Sequence, residues 1–251
     1  MDYQLPPLPS YSLLPTPYSL LPTPYCLLPT AYQRMTDQTL ITTLKHALAQ
    51  PLPGWERQQL MSPENRRTDI SRMGLARDDY RESSVLLLLY PDEAGQLHFV
   101  LTKRPEYDGV HSGQISFPGG RKEPGEQPQE TALREAREEI GVPAAQITVL
   151  GQLSRLYIPP SNFMVYPFVG FCPARPAFKP SPREVAQIIE PPLALLFDEA
   201  TCCEEYRQFP QIGRARIPYM NLLGHKVWGA TAMILSEFAA IVEKHLNHCE
   251  L

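Results

Sequence analysis

Residues 113–142 read GQISFPGGRKEPGEQPQETALREAREEIGV and contain the features that decide the fold. The stretch predicts a strand, a sharp turn at the Pro-Gly-Gly of residues 118–120, and then a helix. Pro128 is a favoured first helical residue, and Gly141 is a favoured residue just past a helix end. We therefore expect a helix between Pro128 and Gly141.

Within the predicted helix, apolar and acidic residues fall on different faces. The apolar positions recur at helical spacing: Ala132, Leu133, Ala136 and Ile140. Glu135, Glu138 and Glu139 lie three and four residues apart, so their Cβ atoms are expected about 5–6 Å from one another. Their mutual repulsion would favour a hard divalent cation. For the helix alone, an ordinary solvated face with Arg134 paired to its neighbours is the alternative.

The complete spacing of this stretch resembles the Nudix box. The positions that carry the resemblance are Gly120, Glu126, Arg134, Glu135, Glu138, Glu139, Gly141 and Val142. The resemblance implies an α+β fold, the Nudix-type α/β/α sandwich with a mixed central sheet. It also implies hydrolysis of the pyrophosphate in a nucleoside diphosphate linked to another group, with Mg²⁺ or Mn²⁺ as cofactor.

Roles for individual residues follow from the same resemblance. The implied metal ligands are Glu135, Glu138, Glu139 and the backbone carbonyl of Gly120. Glu126 is expected to support the helix, or an additional metal, through Arg134. We expect Arg134 to orient or neutralise a neighbouring glutamate and Glu135 to take the proton from water. Glu184 is the alternative general base outside the box.

The segment upstream, LTKRPEYDGVHSGQISFPGG at residues 101–120, resembles the signature of the coenzyme A pyrophosphatase branch of the family. On this basis the expected substrate contacts are Arg104, His111 and Gln114. Two positions depart from the branch, since Pro105 stands at a usual serine and Gly109 at a usual arginine. The expected reaction is cleavage of coenzyme A or its thioesters to phosphopantetheine and adenosine 3′,5′-bisphosphate. The alternatives are an ADP-ribose or other dinucleotide pyrophosphatase, and a catalytically silent ligand-binding module.

Periodicity and turn signals predict the other elements. These are a helix over 37–49, strands over 84–90, 97–104, 146–154 and 164–171, a loop over 157–163, a strand beginning at 184, a short helix over 191–197, a hairpin of 204–209 with 216–222, and a last helix after 228–231. We expect residues 35–251 to form one domain.

Residues 1–34 differ from the rest because a seven-residue unit repeats at 11–17, 18–24 and 25–31. Its frequent prolines disfavour helices and central strands, so we expect a disordered, extended tail. A proline-rich ligand for a partner domain is one alternative. Another is translated repetitive DNA upstream of a native start at Met35.

Composition narrows the function class. The formal net charge of −4 and pI near 5.9 disfavour broad nucleic-acid binding, and no apolar run is long enough to predict a membrane span. Five scattered cysteines without metal-like spacing predict reduced thiols and a cytoplasmic protein. The expected partner is a small-molecule nucleotide substrate. The oligomeric state is left open, with a homodimer as one option.

Overall fold

The computed structural model describes residues 37–63, 79–106, 113–209 and 213–246. The predicted tail at 1–34 lies outside these residues, and so does His111. Within the described ranges, no helix is both long enough and apolar enough to cross a lipid bilayer.

The elements follow one another along the chain in a mixed α and β order. The strands are β1 (Arg81–Pro91), β2 (Leu97–Phe99), β3 (Leu101–Lys103), β4 (Ile115–Ser116), β5 (Gly119–Arg121), β6 (Thr148–Gln152), β7 (Leu156–Ile158), β8 (Phe163–Phe171), β9 (Gln187–Ile189), β10 (Cys202–Phe209), β11 (Gly213–Leu222) and β12 (His225–Trp228). The α-helices are α1 (Asp37–Leu48), α2 (Trp55–Gln58), α3 (Pro128–Ile140) and α4 (Ala230–Leu246).

A mixed sheet of six strands forms the middle of the fold. Strand β1 runs parallel to β8, while β2 and β5 pair antiparallel with its other edge. Strands β6 and β7 pair antiparallel with β8. Leu86, Leu87, Leu88 and Leu89 on β1 are all fully buried. The strand predicted over 84–90 is confirmed, and its leucine-rich sequence fits a strand covered on both faces.

Helices cover the two faces of this sheet. Ala132, Ala136 and Ile140 of α3 pack in one core cluster with Leu86 and Leu88. The alternate residues Leu87 and Leu89 belong to the other cluster, which α4 fills with Leu235, Phe238 and Val242. Since neighbouring residues of a strand point to opposite faces, α3 and α4 lie on opposite sides of the sheet. The α/β/α sandwich is confirmed.

Two small sheets flank the central one. In one of them β3 pairs with β4 and β9, and in the other β11 pairs with β10 and β12. The predicted late hairpin is confirmed as β10 and β11. The single strand predicted over 97–104 is wrong, because Val100 still donates to the Leu88 carbonyl oxygen at 3.2 Å whereas Leu101 pairs with Ile189 in the small sheet. The chain thus changes sheets at Val100.

Two further boundary predictions are wrong. The strand expected from Glu184 begins at Gln187, since the Glu184 and Val185 amides both donate to the Ser181 carbonyl oxygen in a turn, at 3.1 and 2.8 Å. The loop expected over 157–163 instead holds part of β7 and a 3₁₀ turn at Pro159–Ser161. The predicted short helix over 191–197 is present as a 3₁₀ helix, Leu193–Phe197.

A buried carboxylate fixes the position of α4. Glu237 is 0% exposed and accepts hydrogen bonds from the Gly54 amide at 3.2 Å, the Ser154 amide at 3.2 Å and Gln58 Nε2 at 2.8 Å. These donors belong to the loop before α2, to α2 itself and to the segment after β6. One side chain therefore joins three separate parts of the chain, and its hydrogen bonds offset part of the cost of burial.

Candidate active site

The helix that carries the acidic residues begins and ends where local sequence signals place it. It starts at Pro128, and the Gln127 amide donates to Glu130 Oε2 at 2.8 Å, which satisfies one free donor at the helix start. It ends at Gly141, whose φ of 74° is left-handed and whose amide donates to the Arg137 carbonyl oxygen at 3.1 Å. The apolar stripe faces the sheet, so Glu135, Glu138 and Glu139 lie on other faces of the helix.

The two glycines before this helix do not form the predicted sharp turn. Gly119 and Gly120 lie in β5, paired with β1, and neither has the left-handed φ of a glycine turn. A Cβ at Gly119 would lie 2.4 Å from the Ser84 carbonyl oxygen, and a Cβ at Gly120 would lie 2.4 Å from Glu135 Oε1. The glycines are therefore required for close approach to β1 on one side and to the Glu135 carboxylate of α3 on the other.

Glu139 is the most deeply buried of the clustered carboxylates. Its side chain is 5% exposed, and Oε2 accepts a hydrogen bond from the Gly119 amide at 3.2 Å. Burial raises the pKa of Glu139 to about 7, while the Gly119 amide and the Arg104 charge oppose this shift. Glu135 and Glu184 add like-charge repulsion. Burial is the largest of these effects, so the ionised form of Glu139 is disfavoured where it lies.

Glu135 shares this environment. Burial raises its pKa, the hydrogen bond and charge of Arg134 oppose the rise, and Glu138 and Glu184 add repulsion. Glu184 acts on both Glu135 and Glu139, although it lies in the turn before β9 and outside the box. The structure therefore brings the alternative general base to the same carboxylate cluster.

Arg134 connects the helix to the loop before it. Its Nε donates to Glu126 Oε1 at 2.6 Å and its Nη2 donates to Glu126 Oε2 at 3.2 Å and to the Arg121 carbonyl oxygen at 3.0 Å. Its Nη1 donates to Glu135 Oε1 at 2.8 Å and to Glu138 Oε2 at 3.1 Å. Arg134 lowers the pKa of Glu126 to about 2, and the hydrogen bond from Thr131 Oγ1 at 2.8 Å acts in the same direction.

The donor set fits a hard divalent cation in chemistry. All the clustered donors are oxygens, and burial raises the pKa of both Glu135 and Glu139, so a bound cation would favour their ionised forms. Over the described ranges, no three His, Cys, Asp or Glu side chains surround one point as a preformed metal site would. Arg134 accounts for this because its Nη1 holds one oxygen of Glu135 and one of Glu138.

The expected substrate contacts fall in different places. Arg104, just past β3, lies close enough to Glu139 to lower its pKa. The Arg104 amide donates to the Gln114 carbonyl oxygen at 3.0 Å. Gln114 itself lines a cavity next to the β11–β12 turn, together with Lys103 and Lys226. No local sequence pattern predicts this cavity, because its residues come from strands far apart in the chain.

Comparison with known proteins places this geometry in a family. The family model described as NUDIX domain matches residues 80–205. A relative from Photorhabdus laumondii, named "Uncharacterized Nudix hydrolase NudL", is 34% identical over 170 residues, which cover 66% of this chain and 87% of the relative. A relative of the same name from Yersinia pestis is 37% identical over 145 residues, covering 56% and 70%. A solved MutT protein from Methanosarcina mazei is 20% identical with a TM-score of 0.43, covering 66% of this chain and 98% of that one.

Proposed function

Because this chain belongs to the Nudix hydrolase family and is a pyrophosphohydrolase of nucleoside-diphosphate-linked substrates, we propose that it hydrolyses coenzyme A or its thioesters. The products would be phosphopantetheine and adenosine 3′,5′-bisphosphate. One observation supports the metal-dependent part of this proposal. Two carboxylates, Glu135 and Glu139, lie close together against the backbone of Gly119 and Gly120.

A pyrophosphate resists attack because its own oxygens repel an incoming nucleophile. When bound, Mg²⁺ or Mn²⁺ offsets that charge and lowers the pKa of attached water. The residues that would hold it are Glu135, Glu138, Glu139 and the backbone carbonyl of Gly120. Arg134 orients Glu135 and Glu138, and it keeps Glu126 ionised beside the helix. Glu135 takes the proton from the attacking water, with Glu184 as the alternative base because it also faces the cluster.

The substrate choice rests on the segment 101–120, whereas the position of Arg104 bears on the pyrophosphate that the candidate substrates share. The matches to the coenzyme A branch in this segment lead directly into β5 and the box. Since Arg104 lowers the pKa of Glu139, its charge lies beside the carboxylates. This position favours a contact with the pyrophosphate, where a guanidinium can hold two oxygens at once. Gly109 at the usual arginine removes one expected anion contact and weakens the resemblance to the coenzyme A branch.

The test is a hydrolysis assay with coenzyme A and dephospho-coenzyme A, in Mg²⁺ or Mn²⁺, on wild type and Arg104→Ala. Products are identified by mass spectrometry. If Arg104 contacts the pyrophosphate, Arg104→Ala lowers kcat/KM for both substrates by the same factor. A selective loss for coenzyme A would contradict this role and assign Arg104 to the 3′-phosphate. Glu139→Gln controls for contaminating phosphatases, since its turnover should be nearly absent.

A further inference from the structure

A second site lies outside the carboxylate cluster. A cavity of about 410 Å³ opens between the start of β4 and the β11–β12 hairpin. The side chains that give it chemical character are Lys103, Gln114, Arg207, His225, Lys226 and Trp228. Its volume falls within the range of small-molecule pockets.

The lining of this cavity is positive in a protein that is negative overall. Among the residues that the structure describes, three permanent cations line it and no carboxylate does, although the chain has a formal net charge of −4. Lys103 pairs with Glu106 at 3.1 Å, but Glu106 is 77% exposed, so the pair is screened by solvent. Arg207 and Lys226 share the single carboxylate of Glu205. The three cations therefore have fewer than three counter-charges, and an anion would relieve their repulsion.

Two of the three cations are held in place before any ligand arrives. Arg207 Nε donates to Glu205 Oε1 at 2.6 Å, and its guanidinium carbon lies 4.6 Å from the centre of the Trp228 ring. Lys226 also pairs with Glu205, and its Nζ lies 5.0 Å from the Tyr219 ring. Fixing long side chains in advance lowers the conformational cost of binding. Trp228, in the same wall, provides a fluorescent reporter.

The cavity is separate from the carboxylate cluster. Lys103 lines the cavity, whereas the next residue, Arg104, acts on Glu139. Successive side chains of an extended segment point to opposite faces. Lys103 and Arg104 therefore point to different sides of the small sheet, and the two sites can be perturbed independently.

We propose that this cavity binds the phosphate monoester of a nucleotide-sized molecule. Lys103, Arg207 and Lys226 contact the phosphate oxygens, which form short charge-assisted hydrogen bonds with such cations. The phosphate has two sources that share this chemistry. One is the 3′-phosphate of a coenzyme A substrate, a reading that rests on the proposed function, and the other is a separate phosphorylated molecule.

The binding test uses the full chain with EDTA and no divalent cation, so that no turnover is involved. Trp55→Phe leaves Trp228 as the reporter, since the chain has two tryptophans. We expect inorganic phosphate and adenosine 3′,5′-bisphosphate each to give a saturable fluorescence change, with tighter binding of the nucleotide. Lys103→Gln and Lys226→Gln should each weaken binding at least about tenfold, the loss typical of a charge-assisted hydrogen bond.

Arg216→Gln is the matched control, because it removes a cation from β11 that pairs with Glu204 at 3.1 Å and does not line this cavity. This variant should bind phosphate and adenosine 3′,5′-bisphosphate with the same affinity as the Trp55→Phe parent. Thermal melting checks that each variant is folded. Calorimetric titration repeats the measurement without relying on fluorescence. The absence of saturable binding, or an equal loss in Arg216→Gln, would overturn the proposal. Loss of binding in Glu139→Gln would also overturn it, since the ligand would then occupy the carboxylate cluster.

Competition distinguishes the two sources. In this assay adenosine 3′,5′-bisphosphate is added to the hydrolysis of coenzyme A. If it inhibits competitively, and the inhibition is lost in Lys103→Gln, the cavity binds the 3′-phosphate of the substrate itself. If it binds but leaves the KM for coenzyme A unchanged, the cavity binds a separate molecule. If the chain does not hydrolyse coenzyme A, the proposed function fails, but the metal-free titrations still decide whether the cavity binds phosphate.

Discussion

Alanine at Gly120 is expected to remove most turnover while leaving the protein folded. The added Cβ would lie 2.4 Å from Glu135 Oε1 and 2.5 Å from its Cδ, whereas ordinary contacts begin at 3.4 Å. The carboxylate of Glu135 must therefore move by about 1 Å, and a displacement of that size at a reacting group costs roughly 10²-fold in rate. Since the atoms that must move are the end of a flexible side chain, the free energy of unfolding should change by less than about 1 kcal/mol.

Gly119→Ala provides the contrast one residue away. Its Cβ would lie 2.4 Å from the Ser84 carbonyl oxygen and 2.7 Å from the Val85 Cα, which are backbone atoms of the central strand. Overpacking of this kind costs about 1–3 kcal/mol or more. At roughly 2–4 °C per kcal/mol for a domain of this size, Tm should fall by several degrees.

The assay measures Tm by calorimetry and kcat on the same preparations of wild type and both variants. We expect Gly120→Ala to keep its Tm and lose about two orders of magnitude in kcat, and Gly119→Ala to lose stability. Near-normal turnover in a folded Gly120→Ala variant would refute the reasoning, because Glu135 would then not need the position that Gly120 allows.

Four other outcomes follow. Glu237→Ala should destabilise the protein by several kcal/mol, since one buried donor and two part-buried donors lose their acceptor, whereas Glu237→Gln should cost less; equal Tm values would contradict this. Burial acts to raise the pKa of Glu190, but hydrogen bonds from Arg175 and Tyr90 outweigh it and hold that pKa below its usual range. The stability from this pair is therefore present above about pH 4.5 and is lost as pH falls, so the Tm difference between wild type and Arg175→Gln should shrink in acid; a constant difference would contradict the assignment. A chain beginning at residue 35 should match the full chain in Tm and turnover, and loss of most activity would contradict the view of 1–34 as a dispensable tail. Glu139→Gln should nearly abolish turnover without unfolding the protein, and wild-type turnover at saturating Mg²⁺ would remove Glu139 from the ligand set.

Local signals explain which parts of the fold were predictable from sequence. The prediction of helix α3 is confirmed because its two ends carry local signals, Pro128 at the first position and Gly141 just past the last. The leucine run of β1 needed only its composition. The Gly119-Gly120 pair was assigned to a turn because its true constraint, the approach of Ser84 and Glu135, comes from other elements.

Contacts between residues far apart in the chain account for the features that local patterns do not predict. Glu237 accepts hydrogen bonds from Gly54 and Gln58, which lie 183 and 179 residues away in the sequence. No local pattern therefore predicts that Glu237 is buried. The basic cavity joins Lys103 to Lys226 by the packing of two sheets in the same way. Helical spacing predicts that Glu135 and Glu139 lie close together. It does not predict that the pKa of each is raised, since that depends on burial.

The most direct test of the central claim compares kcat/KM for coenzyme A and ADP-ribose with the wild-type chain and saturating Mg²⁺ or Mn²⁺. We predict cleavage of coenzyme A at the pyrophosphate, with phosphopantetheine and adenosine 3′,5′-bisphosphate as products and a higher kcat/KM than for ADP-ribose. A higher kcat/KM for ADP-ribose would contradict the coenzyme A assignment.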